Sequence, residues 1–174
     1  VWEGPVKVAL GDETRARLAA SCKAIGDILA RDRPVYGINT GFGLLAQTRI
    51  EANELETLQR NLILSHCTGV GEALPEAVVR LLMVLKIIGL ARGHSGVRPE
   101  TVDALVALLN AEVYPVIPAK GSVGASGDLA PLAHMASVLL GEGQVVHAGR
   151  VLPAREGLAL AGLEPLTLGP KEGL

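Results

Sequence analysis

Only four of the 174 residues are aromatic, Trp2, Tyr36, Phe42 and Tyr114. Aromatic rings therefore cannot dominate the core, and the 49% apolar content must be supplied by Leu, Ala, Val and Ile. That mixture favours helices packed on helices, a mainly α fold. Cysteine is equally scarce: Cys22 and Cys67 lie far apart and offer neither a disulfide framework nor a paired-cysteine metal motif. Charge of one sign is missing as well. With 16 basic and 18 acidic residues the net charge is −2, and no Lys/Arg cluster is interleaved with stacking aromatics, which argues against nucleic acid as a partner. No apolar run is long enough for a bilayer, because residues 77–91 are interrupted by Arg80 and Lys86. Nothing resembles a signal peptide. The expected setting is a soluble protein in the reducing cytoplasm, with neither membrane nor nucleic acid as partner.

The length suffices for one domain with a substantial core. Val1 in place of Met, and a stop at residues 171–174 directly after a polar turn, read as a piece of a longer chain. Residues 6–10 are expected to be extended. Asp12 is placed to cap a helix running to about Ala30, with Leu18, Ile25 and Leu29 on its buried side. Leu55, Leu58, Leu62 and Ile63 mark a second helix from about Ala52. Pro75 opens a third, apolar nearly all round from Val78 to Leu90 and so expected to be the most buried. Pro99 opens a fourth with Val102, Leu105, Leu108 and Leu109 on one face. Tyr114-Pro115 and Ile117-Pro118 force extended backbone. Leu132, Met135, Leu139 and Leu140 mark a further helix, residues 144–152 a β-hairpin around Ala148-Gly149, and residues 154–160 a short last helix.

Three segments break this pattern. Residues 32–47 crowd Pro34, Gly37, Gly41 and Gly43 around Tyr36, Asn39, Thr40 and Phe42, a loop of the kind that carries function. Ser65-His66-Cys67-Thr68-Gly69 ends the second helix. Residues 120–129 form a Gly-rich loop around Ala125-Ser126-Gly127. That tripeptide can become an electrophile without an added cofactor. The Gly127 amide nitrogen attacks the Ala125 carbonyl carbon, a five-membered ring closes, and dehydration there and at Ser126 removes two waters and leaves an exposed methylidene. Glycine suits the attacking position because it lacks a Cβ and tolerates unusual backbone angles. By itself the tripeptide arises by chance in roughly one chain in fifteen of this length, so a plain turn capped by Ser126 or Asp128 stays open. Anion binding at the following helix N-terminus is a third reading, although Lys120 precedes the glycines and no Walker pattern supports it.

Taken together the three segments resemble the histidine ammonia-lyase family. Tyr36-Gly37-Ile38-Asn39-Thr40-Gly41-Phe42-Gly43, then Leu64-Ser65-His66 followed by Gly69-Val70-Gly71, then residues 121–132, match its motifs in order and at similar spacing across almost the whole chain. The resemblance implies non-oxidative deamination of L-histidine to trans-urocanate and ammonia. It implies a 4-methylideneimidazole-5-one group self-formed from Ala125, Ser126 and Gly127, with no metal or nucleotide. Tyr36 then corresponds to the base that takes the β-proton, a role that asks its surroundings to lower a reference pKa near 10. His66 corresponds to the residue that meets the substrate imidazole, and Ser65-His66 is the pair that separates histidine enzymes from phenylalanine- and tyrosine-specific relatives. Asn39 and Phe42 are expected to shape the loop. His94, His134 and His147 lie at no metal-ligand spacing and receive no role, and Cys67 lacks an orienting group that would make it a nucleophile.

The resemblance also implies that residues 1–174 are the N-terminal helical domain of the ammonia-lyase fold, bearing the electrophile together with short extended segments and a small β-hairpin. The C-terminal long-helix bundle is lacking, along with its carboxylate-binding arginine. Family members complete their sites between subunits of a homotetramer, so the isolated chain is expected to be inactive. Two alternatives stand beside this reading: a phenylalanine or tyrosine ammonia-lyase or aminomutase, and a non-catalytic helical module serving in assembly.

Overall fold

In the computed structural model the described residues are 1–31, 33–124 and 127–173, with only the backbone of Leu45 described. Six α-helices form among them: α1 (Asp12–Leu29), α2 (Leu55–His66), α3 (Glu76–Ala91), α4 (Pro99–Asn110), α5 (Leu129–Ser137) and α6 (Ala154–Leu160). Helix outweighs strand, as the composition requires. The core gathers Leu18 of α1, Val79, Met83 and Ile87 of α3, and Val102, Leu105, Leu108 and Leu109 of α4. A smaller cluster of Ile63, Ala133, Leu140 and Leu168 fixes α2 against α5.

Burial is distributed differently from the hydropathy of the helices. Seven of the twelve residues of α4 are buried, but only five of the sixteen in α3, where Leu85 and Ile88 remain 59% and 56% exposed. A helix apolar all round has more than one face to cover, and the face carrying Leu85 and Ile88 is left open among the described residues. Two helix starts also shift. Gly11, not Asp12, is the N-cap of α1, and Pro75 is the N-cap of α3, its carbonyl accepting from Val78 and Val79. Residues 6–10 join no strand. Val8 instead exchanges two hydrogen bonds with the Asn110 side chain, which replaces a strand neighbour for that residue.

Five short strands are found among the described residues. β2 (Tyr114–Pro115), β4 (Gln144–His147) and β5 (Arg150–Pro153) form an antiparallel sheet in the order β2-β4-β5. Ala148 and Gly149, both at positive φ, make the two-residue turn of its hairpin. β1 (Val70–Ala73) pairs antiparallel with β3 (Pro118–Lys120), with Val70 opposite Lys120. β1 carries no strand signal in its sequence, since Gly71 and Ala73 are poor strand formers; all four of its residues are exposed. This ribbon nevertheless positions the site: the chain enters β1 from the end of α2 and leaves β3 into the Gly-rich loop.

Candidate functional site

Residues 33–50 are held by a buried amide. Asn39 is 5% exposed; its Oδ1 accepts from Val35 N–H at 2.7 Å, and its Nδ2 donates to Arg33 O at 2.9 Å. Ile50 N–H donates to Asn39 O, and a bridge between Thr40 and Arg49 closes the base of the loop. Asn39 therefore shapes the loop, as expected. At its tip Tyr36 stays 62% exposed and meets Phe42 edge to face, with ring centroids 5.8 Å apart.

His66 is the last residue of α2. Its Nδ1 lies 2.7 Å from Leu62 O, a carbonyl that only accepts, so the proton sits on Nδ1. Ser65 reinforces this tautomer: its hydroxyl donates to Leu62 O at 3.0 Å, and its oxygen lies 3.2 Å from the same Nδ1. Nε2 is the ring nitrogen that this contact leaves available. The serine thus acts on the histidine ring rather than standing as an independent contact.

Ala125 and Ser126 lie outside the described residues. On their flanks, Gly127 N–H donates to Gly124 O at 3.0 Å, which brings the two sides of the dipeptide together. Gly127 has φ +78°, a left-handed conformation that other residues adopt only under strain, and open space where a Cβ would stand. Asp128 accepts a hydrogen bond from Ser122 across the loop and occupies the N-cap of α5 without a side-chain cap bond.

Tyr36, Phe42 and His66 line one cavity of about 330 Å³. Leu129, Leu132 and Ala133 of α5 form another part of its wall, so the helix that follows the Gly-rich loop borders the same space. Ser65 and Gly127 do not line it. Lys86 does, and burial pushes its ammonium down from the ordinary lysine value. In the sequence Lys86 reads only as a break in an apolar run; a cation within such an apolar helix was the available signal. Glu172 also borders the cavity, but its carboxylate is consumed. It accepts from Arg98 N, Nε and Nη2, from Thr101 Oγ1 and from Gly169 N, at 2.6 to 2.9 Å. Among the described residues no group of three or more His, Cys, Asp or Glu could hold a metal ion. None of their helices is long and apolar enough to cross a membrane.

The chain is mainly helical, with a tyrosine and a histidine on one cavity bordered by the helix after a Gly-rich loop. The family model for aromatic amino acid lyase matches residues 1–174. A histidine ammonia-lyase of Desulfotalea psychrophila is 60% identical over 172 residues, covering 99% of this chain and 34% of the relative. The solved histidine ammonia-lyase of Trypanosoma cruzi superposes with a TM-score of 0.89 at 41% identity, over 99% of this chain and 33% of that one. The Pantoea agglomerans phenylalanine aminomutase gives 0.92 at 32% identity, over 97% and 32%. The chain belongs to the aromatic amino acid lyase family, and it spans about a third of the length of the curated relatives it matches.

Proposed function

We propose that residues 1–174 are the electrophile-bearing domain of a histidine ammonia-lyase that converts L-histidine to trans-urocanate and ammonia. The observation that carries this reading is the pairing of Tyr36 with His66 on one cavity bordered by α5. Identity of 60% with a histidine ammonia-lyase favours histidine over the substrates of the aminomutase neighbours.

The loop fits the self-formed 4-methylideneimidazole-5-one group. Gly127 has the required freedom, and its flank is already drawn onto Gly124. Cyclisation consumes the Gly127 N–H that Gly124 O accepts, so ring and hydrogen bond are alternatives. Once formed, the group supplies an electrophile for the substrate amine, turning a poor leaving group into one that departs as ammonia. The chain's own residues do the rest. With Nδ1 engaged by Leu62 O, His66 presents Nε2 to the substrate imidazole and orients the side chain in the cavity. Tyr36 is placed to take the β-proton as the C–N bond breaks. Leu129, Leu132 and Ala133 give the cavity an apolar wall beside them. Lys86 offers a positive charge to an anionic group entering the same cavity, and its burial strengthens that attraction.

The full-length enzyme is read as a cytoplasmic homotetramer, and residues 1–174 alone as inactive. Intact mass measurement of the full-length enzyme should show a deficit of two waters, mapped to the peptide containing Ala125-Ser126-Gly127. Ser126→Ala should abolish that deficit and lower urocanate release at least about a thousandfold, in line with loss of a covalent electrophile. An unmodified, fully active wild type, or an unimpaired variant, would sink the reading. Turnover of phenylalanine or tyrosine in preference to histidine would move it to the aminomutase and ammonia-lyase relatives.

A further inference from the structure

The turn carrying His66 and the Gly-rich loop leave the same ribbon. Val70 opens β1 one residue after Gly69, and its partner Lys120 closes β3 one residue before Gly121. There the two backbones approach closely. A Cβ built on Gly121 would stand 3.2 Å from Gly69 Cα and 3.1 Å from Ala130 Cβ. One built on Gly69 would stand 3.1 Å from His134 Nε2 and 3.2 Å from Pro118 Cβ. Glycine at both positions is what lets α5, the ribbon and the residue 66–69 turn meet.

His134 bridges this meeting point from α5. Gly69 N–H donates to its Nε2 at 3.1 Å, across 65 residues of sequence. A backbone N–H only donates, so Nε2 must be the unprotonated nitrogen and the imidazole must be neutral. Burial also lowers the pKa of His134. The ring does not line the cavity that holds Tyr36 and His66, so it acts through the backbone and not on a substrate.

We propose that His134 is a positioning residue whose neutral Nε2 holds the residue 66–69 turn against α5, fixing His66 relative to the electrophile loop. Its kinetic consequence rests on the lyase reading above, whereas the hydrogen bond itself does not. The test uses three variants of the full-length enzyme. H134L removes the acceptor from the part-buried Gly69 N–H, and should lower kcat/KM for L-histidine about tenfold. H134Q offers Oε1 near the Nε2 position and should stay within about threefold of wild type. H134N ends one bond short and should resemble H134L. All three should keep the two-water mass deficit, because the turn rather than ring formation is affected.

Deuterium uptake at the Gly69 amide should rise in H134L and H134N and stay low in H134Q, whatever the turnover. Wild-type kcat/KM in H134L, Gln no better than Leu, or loss of the mass deficit would each overturn the proposal. Should H134L fail to fold, the comparison of Gln with Asn decides. If wild type releases no urocanate, the lyase reading fails while Gly69 exchange still decides whether His134 holds the turn.

Discussion

At the scale of single residues, two histidines in this chain are oriented by different means. His66 has its proton fixed on Nδ1 by Leu62 O within its own helix, whereas His134 is defined by a backbone donor 65 residues away. The second arrangement couples to pH. Burial is the cause of the lowered pKa of His134. A histidine whose folded pKa lies below its unfolded value of about 6.5 contributes stability that is full above that pH. The contribution is lost as pH falls through the folded value. Denaturant unfolding should therefore show wild type losing more stability than H134Q between neutral and mildly acidic pH. Parallel losses would show that His134 does not titrate with folding.

At the scale of elements, α3 and α4 show that hydropathy and burial are separate properties. Leu108 on α4 is fully buried, while Leu85 on α3 is 59% exposed. Leu108→Ala should cost about 2–5 kcal/mol, through lost transfer energy and a residual cavity. Leu85→Ala should change stability by less than about 0.5 kcal/mol, as for other surface substitutions. Urea denaturation of the two variants measures the contrast, and similar losses would mean that the Leu85 face is covered in solution. Helix positions were legible in the sequence because period 3.6 needs only local information. The start of α4 at Pro99 and the hairpin at Ala148-Gly149 rest on backbone chemistry that those residues carry with them. β1 was not legible, because Val70-Gly71-Glu72-Ala73 has no alternation, and it becomes a strand only where Pro118–Lys120 offers an edge.

At the scale of the whole molecule, the segment after α6 is fastened back onto the start of α4 by Glu172, whose side chain is fully buried. Arg98 in turn has its guanidinium pKa raised, chiefly by the hydrogen bond to Glu172. Glu172→Gln keeps the shape but turns an all-acceptor group into one that is half donor, facing Arg98 and Thr101 donors. A loss of about 1–3 kcal/mol is expected in urea denaturation, with Arg98 partly solvated and the cost moderated accordingly. An unchanged midpoint would mean that residues 167–173 are held by Leu168 packing and the hydrogen bonds of Thr167 O and Gly173 N instead. The sequence by itself determined the helical composition, most element positions and the motif residues Tyr36, Ser65, His66 and Gly127, because spacing, turn chemistry and residue type are local properties. Only the tertiary structure decided that Tyr36 and His66 share a cavity, that Lys86 and Glu172 border it, and that His134 reaches Gly69. Each of these depends on chain crossings between residues tens of positions apart, and no local pattern encodes which distant backbone group a side chain will meet.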